Sequence, residues 1–144
     1  IATSGTIYKL SLLDRVTDSK GKLIKEYPSE TEGQLDISSN IWDDIHDGMY
    51  RVVQTHDQFN GLGVEVAGKT GTAEIDYYHP NNALFVGYVS DPKYAISVRI
   101  ANGYASGNAC LAANDIFKYI FGLADESTIL TGYAASDTSN VSND

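Results

Sequence analysis

Val66-Ala67-Gly68-Lys69-Thr70-Gly71-Thr72-Ala73-Glu74-Ile75 is the stretch whose reading decides the fold. Its β-branched residues favour an extended strand in spite of the glycines at 68 and 71. Two further apolar runs follow, Ala83 to Ser90 and Tyr94 to Ile100. Asp91-Pro92-Lys93 is too short a link for a crossover, so those two runs pair antiparallel. Tyr77 to Asn82, with Pro80 and two asparagines, reads as the turn that brings the first strand back against the second. The expectation is an antiparallel sheet from 66–75, 83–90 and 94–100, with Lys69 near the beginning of its strand.

Helices flank this sheet in the sequence. Downstream, Ala109, Ala112, Ala113, Ile116 and Ile120 recur at helical spacing over 108–122, with Asn108 as the cap and Gly122 as the stop. Upstream, Ile41, Trp42, Ile45, Met49, Val52 and Val53 form an apolar stripe over Ser39–Gln54, and Asp43, Asp44 and Asp47 fall on the opposite face. Ser38, Ser39 or Asn40 supplies its cap. Gly48 costs about 1 kcal/mol against alanine in mid-helix, which suggests close packing against a neighbour. Thr55 to Gly63 reads as a loop. Tyr8 to Val16 and Lys22 to Tyr27, joined by the polar turn Asp18-Ser19-Lys20-Gly21, read as a β-hairpin appended to this body, followed by a polar loop over Pro28 to Gln34. The fold class is therefore α/β in the broad sense (α+β), an antiparallel sheet packed with helices.

Composition limits the functions available. The chain has 144 residues and a formal net charge of -9, which argues against a nucleic-acid partner because phosphate binding needs a basic patch. Cys110 is the single cysteine, so no intramolecular disulfide forms, and its neighbours Ala109, Leu111 and Ala112 mark it as a small buried hydrophobe. His46, His56 and His79 are scattered and form no ligand pair, so neither a metal nor another cofactor is expected. No apolar run is long enough to span a membrane.

One segment carries chemistry. The triplet Lys69-Thr70-Gly71, preceded by a glycine and followed by a threonine on a strand, resembles the third active-site motif of class B penicillin-binding proteins. The resemblance extends to Ala2-Thr3-Ser4-Gly5-Thr6, to Gly48-Met49-Tyr50-Arg51-Val52-Val53 and to Phe85-Val86-Gly87-Tyr88, and covers residues 1–123. It implies the C-terminal part of a transpeptidase domain of the penicillin-binding protein and β-lactamase fold. The resemblance leaves 124–144 unmatched, and the polar Ser, Thr, Asp and Asn composition there marks a tail expected to be mobile beyond about Leu130. Leu84, at a position where the family commonly has tryptophan, departs from the pattern.

What the resemblance implies for the site is specific. Thr70, Gly71 and Thr72 bind substrate, the two threonine hydroxyls taking a terminal carboxylate and Gly71 allowing a peptide backbone to lie close. Lys69 and the backbone N–H of Thr72 are the catalytic groups, the first as a positive charge that positions protons, the second as half of an oxyanion hole. Peptidoglycan stem peptides and β-lactams are the implied ligands, the missing N-terminal part of the same domain is the implied partner, and the extracytoplasmic face of a bacterial membrane is the implied location. The membrane anchor would lie outside this chain.

The nucleophile is not expected here. Ser19-Lys20-Gly21-Lys22 fits S-x-x-K, yet it lies in a polar turn with no helix for Ser19 to open. Ser38-Ser39-Asn40 and Ser106-Gly107-Asn108 fit S-x-N, yet both stand where helix caps are needed, and the second follows the Lys-Thr-Gly motif. The first residue is Ile1, not methionine, and the chain is read as a fragment, inactive alone, of a serine-type D,D-transpeptidase. A β-lactamase or β-lactam sensor of the same fold, and a non-catalytic module that binds cell-wall peptides, are the rival readings. Trp42 is assigned to the core, the ten tyrosines to rim and half-buried positions with Tyr77 and Tyr78 at the border of the cleft, and His79-Pro80 to a turn.

Overall fold

The computed structural model describes residues 1–91 and 94–129. The chain divides into two compact units, Ile1–Asp43 and Asp44–Asp144.

The first unit holds two small two-stranded sheets. β1 (Thr6–Tyr8) pairs antiparallel with β4 (Thr31–Gln34), and β2 (Arg15–Thr17) pairs antiparallel with β3 (Leu23–Glu26). The expected hairpin is present only in its inner part. The run 8–16 is not one strand: it leaves β1 at Tyr8 and re-enters the extended state at Arg15. The segment expected as a loop over Pro28 to Gln34 supplies the partner of β1, and Gln34 ties the pair by accepting from the Thr6 hydroxyl at 2.8 Å while donating to the Ser4 carbonyl. Non-local pairing overrides the polar composition of that segment. The tip of the β2–β3 hairpin is closed by Asp18, whose Oδ1 accepts from the N–H groups of Lys20 and Lys22. Gly5, at φ +90°, lies beneath Trp42: a Cβ there would come within 2.9 Å of the indole Cζ2. Trp42 is buried, as expected.

α1 (Ser39–Gln54) matches the expected helix and begins where the Ser38 carbonyl accepts the N–H groups of Ile41 and Trp42. Gly48 has open space around the position of a Cβ, so the close packing expected there is not made among the described residues.

The second unit is built on one antiparallel sheet of order β5 (Val66–Ala73), β6 (Asn82–Val89), β7 (Tyr94–Ile100). Lys69 faces Val86, Thr70 faces Phe85, Gly71 faces Leu84 and Thr72 faces Ala83. The strand starts at Val66, as expected, with Val66 and Ala67 paired to Val89 and Tyr88, and Lys69 is the fourth of its eight residues. The strand ends at Ala73, two residues earlier than expected.

α2 (Ser106–Ile120) covers one face of this sheet. Its buried side is Ser106, Ala109, Cys110, Ala113, Asn114 and Phe117, whereas Ile116 and Ile120 are exposed. The true stripe is therefore rotated from the expected one, toward Phe117 and Cys110. Ala109, Cys110, Ala113 and Phe117 form the core with Ala83, Phe85 and Val89 of β6 and with Val53, Phe59, Leu62 and Val66. Phe59 and Leu62 come from the 55–63 segment read as a loop, which contains one 3-10 turn (Asp57–Phe59). Asn114 holds that turn by donating to the Gln58 carbonyl at 2.6 Å. A short α3 (Glu126–Ile129) follows; the residues beyond it, where mobility was expected, lie outside the described part of the chain. Among the described residues no helix is long and apolar enough to cross a membrane.

Candidate functional site

β5 lies at an edge of the three-stranded sheet, so Lys69-Thr70-Gly71-Thr72 sits on a strand with one flank not paired within that sheet. An edge of this kind is the template on which an extended peptide is added as a further strand. Gly68 and Gly87 face each other across β5 and β6, and the buried ring of Phe85 occupies the space beside both. A Cβ at residue 68 would meet the ring at 2.5 Å, and one at residue 87 at 2.7 Å. Gly71 is different: a Cβ there would be in ordinary contact with Leu84 at 3.5 Å, so no packing among the described residues requires glycine at that position.

Lys69 is exposed, and its Nζ donates to the carbonyl of Thr70 at 2.7 Å. Thr70, Gly71 and Thr72 are half-buried. The Thr72 Oγ1 accepts the backbone N–H of Ser106, the first residue of α2, at 3.3 Å. This contact joins residues 34 apart in sequence. Sequence reasoning did not find it, since Ser106 was read only as part of a capping pattern. Asn108 is not the cap either. Ala105 stands at the N-cap with φ −121° and ψ 152°, and Asn108 Nδ2 donates to the carbonyl of Gly103 at 2.8 Å.

The structure brings Thr72 and Ser106 together and leaves the other serine patterns in the first unit. Ser19 is exposed in the β2–β3 turn, and Ser38 and Ser39 are exposed at the start of α1. Beyond β5, Tyr77 and Tyr78 are almost fully exposed and pack edge to face at 5.6 Å. Their turn is closed by Asp76, whose Oδ1 accepts the N–H groups of Tyr78 and His79 and lies 2.8 Å from His79 Nδ1. The His79 contact, then the backbone donors, hold the Asp76 carboxyl below its usual range. Among the described residues, no group of three or more His, Cys, Asp and Glu is arranged to hold a metal.

A concavity of about 290 Å³ is lined by His46, Asp47, Tyr50, Glu65, Ala67, Tyr88 and Ser90. Among the described residues the Tyr88 hydroxyl is buried without a hydrogen-bond partner, its ring stands edge-on to His46 at 5.7 Å, and burial pushes its pKa up.

The sheet, its covering helix and the edge strand define a transpeptidase-type fold, and comparison with known proteins agrees. The penicillin binding protein transpeptidase domain matches residues 1–122. The D,D-transpeptidase domain of a peptidoglycan glycosyltransferase from Eggerthella lenta superposes with a TM-score of 0.64 at 26% identity, over 85% of this chain and 30% of that one. Penicillin-binding protein A from M. tuberculosis, solved as a ceftriaxone acyl-enzyme complex, gives 0.66 at 20% identity, over 86% of this chain and 30% of that one. PBP2 of Pseudomonas aeruginosa in complex with WCK 5153 gives 0.55 at 24% identity, over 85% and 26%. No curated protein gives a significant match. The chain belongs to the penicillin-binding protein transpeptidase family. It spans less than a third of the length of these solved structures, a partial domain in keeping with the class B resemblance.

Proposed function

We propose that this chain is the C-terminal portion of a serine-type peptidoglycan D,D-transpeptidase and supplies its substrate-binding strand. The observation that carries the reading is the position of Lys69-Thr70-Gly71-Thr72 on the edge strand β5, in a chain of this family. A stem peptide adds to that edge through main-chain hydrogen bonds, and Gly71 leaves room for its backbone. The Thr70 and Thr72 hydroxyls bind its terminal carboxylate. The Thr72 N–H donates to the oxyanion, a contact of the kind worth about 3 kcal/mol in the transition state. Lys69 supplies positive charge beside the nucleophile.

The serine and its lysine partner are assigned to a part of the transpeptidase domain outside this chain, so the chain alone is inactive. β-Lactams are the ligands that report on the site, and the extracytoplasmic face of a bacterial membrane is the place of work, with the anchor outside this chain. Labelling the full-length protein with a fluorescent penicillin, followed by peptide mapping, tests the reading. The label is expected on a serine in S-x-x-K outside residues 1–144. No labelling would favour a non-catalytic peptide-binding module, and rapid release of hydrolysed drug would favour a β-lactamase.

A further inference from the structure

The corner between β7 and α2 is built with unusual backbone. Asn102 and Tyr104 hold positive φ angles of 53° and 66°, which non-glycine residues rarely adopt. Between them Gly103 is packed so tightly that a Cβ would lie 2.8 Å from the Cβ atoms of both Ala83 and Ile100. Hydrogen bonds lock the corner, among them Asn102 N–H to Asn82 Oδ1 at 3.3 Å, Tyr104 N–H to the Asn81 carbonyl at 2.9 Å, and Asn108 Nδ2 to the Gly103 carbonyl at 2.8 Å. The chain leaves this corner extended at Ala105 and turns into α2 at Ser106.

The first N–H groups of a helix have no partner within it. That of Ser106 is used on the Thr72 hydroxyl oxygen, at 3.3 Å. The donor takes an acceptor site on Oγ1, and a hydroxyl that accepts a hydrogen bond becomes a stronger donor. The positive end of a fifteen-residue helix lies beside the same oxygen and favours an anion there.

We propose that Ser106, through its backbone N–H, is the positioning residue that fixes the Thr72 hydroxyl and sets the preference of the site for ligands bearing a carboxylate. This rests on the substrate-binding role given to Thr72 above. The strained 102–105 corner exists to place that N–H, and Thr72 acts on the ligand.

The local geometry allows a direct test. Proline is favoured at the first position of a helix, where its missing N–H is not needed by the helix, and it requires an extended residue before it. Ala105, at φ −121° and ψ 152°, satisfies that requirement. Ser106→Pro therefore removes the donor and leaves α2 in place. Where the proline ring crowds Thr72, replacing the Ala105–Ser106 amide by an ester removes the same N–H without added bulk. In the full-length protein, acylation rates by benzylpenicillin and by its methyl ester are compared. The unsubstituted protein should prefer the free acid, and both variants should lower that preference about tenfold, the loss expected for one hydrogen bond to a charged group. The rate with the methyl ester should stay within about twofold.

An unchanged preference in the ester-linked protein, or an equal fall with both lactams, would overturn the proposal while leaving the transpeptidase reading standing. Absence of acylation in the unsubstituted protein would instead sink the transpeptidase reading, and this one with it.

Discussion

The ring of Phe85 fills the space that a side chain on Gly68 would need, with Cζ 2.5 Å from the position of the missing Cβ. Phe85 is fully buried, and its ring also meets Phe59 at 5.2 Å between centroids, so it has little room to yield. Overpacking of this kind costs about 1–3 kcal/mol. Gly68→Ala is expected to lower the unfolding free energy by that amount, whereas Gly71→Ala, which meets only ordinary contacts with Leu84, should cost less than about 1 kcal/mol. Equal destabilisation in urea melts would show that the ring is not what constrains residue 68.

Tyr88 gives a prediction of opposite sign. Its hydroxyl is buried without a partner among the described residues, a state that costs about 1–3 kcal/mol relative to a paired or solvated hydroxyl. Tyr88→Phe keeps the ring against His46 and removes the unpaired oxygen, so stability should rise by about 1 kcal/mol. The pH dependence follows from the raised pKa, whose cause is burial. The neutral phenol is favoured in the folded state, so this contribution is intact below about pH 10, the ordinary tyrosine value, and is lost as pH rises through the folded pKa. Melting curves between neutral and strongly alkaline pH should show a steeper alkaline loss with tyrosine than with phenylalanine at this position.

How much of this was legible in the sequence depends on how local each signal is. The stripe through Trp42 and Val53 fixed α1 because helical periodicity is carried by near neighbours, and the runs around Ala83 and Tyr94 fixed the sheet for the same reason. Thr31–Gln34 was misread because its strand state comes from pairing with Thr6–Tyr8, a contact that no residue of 31–34 announces. The face of α2 was set slightly wrong because Ile116 and Ile120 carry more apolar weight than Cys110 and Asn114, and only the sheet beneath decides which face is covered. The motif on β5 was visible as a string of residues. Its junction with Ser106 was not, because a backbone N–H leaves no mark in a sequence and the corner that aims it depends on Gly103 meeting Ala83 and Ile100.

The serine patterns separate by mutation. Ser19 is exposed in a turn held by Asp18, far in chain order from β5, and its hydroxyl has no helix behind it. In the full-length protein Ser19→Ala should leave penicillin acylation within about twofold of the unsubstituted rate. Lys69→Ala removes the exposed positive charge on the motif strand and should slow acylation by about 100-fold or more, the scale of losing one electrostatic contact to a developing charge. Stopped-flow acylation with a chromogenic β-lactam reads both. The reverse ranking would place the nucleophile at Ser19 and remove the assignment made here.

The 144-residue chain by itself should form no covalent adduct with a β-lactam. Acylation needs an activated hydroxyl, a base that takes its proton and donors on the oxyanion as it forms. The motif strand offers Lys69, whose Nζ is engaged with the Thr70 carbonyl, and, on the reading proposed above, the Thr72 N–H as a donor. Thr72 Oγ1 is tied to the N-terminus of α2, so it is an anchored hydrogen-bonding group and not an attacking one. With Lys69 exposed to water, each contact that the strand makes to a carboxylate is weakened by the surrounding dielectric, so binding should be weak and reversible. Intact mass spectrometry after incubation with excess penicillin is the measurement, and an unshifted mass is the expected result. A stoichiometric gain of one drug mass, mapped to any serine or threonine among these residues, would mean that the nucleophile lies within the chain and that the division of labour proposed for the domain is wrong.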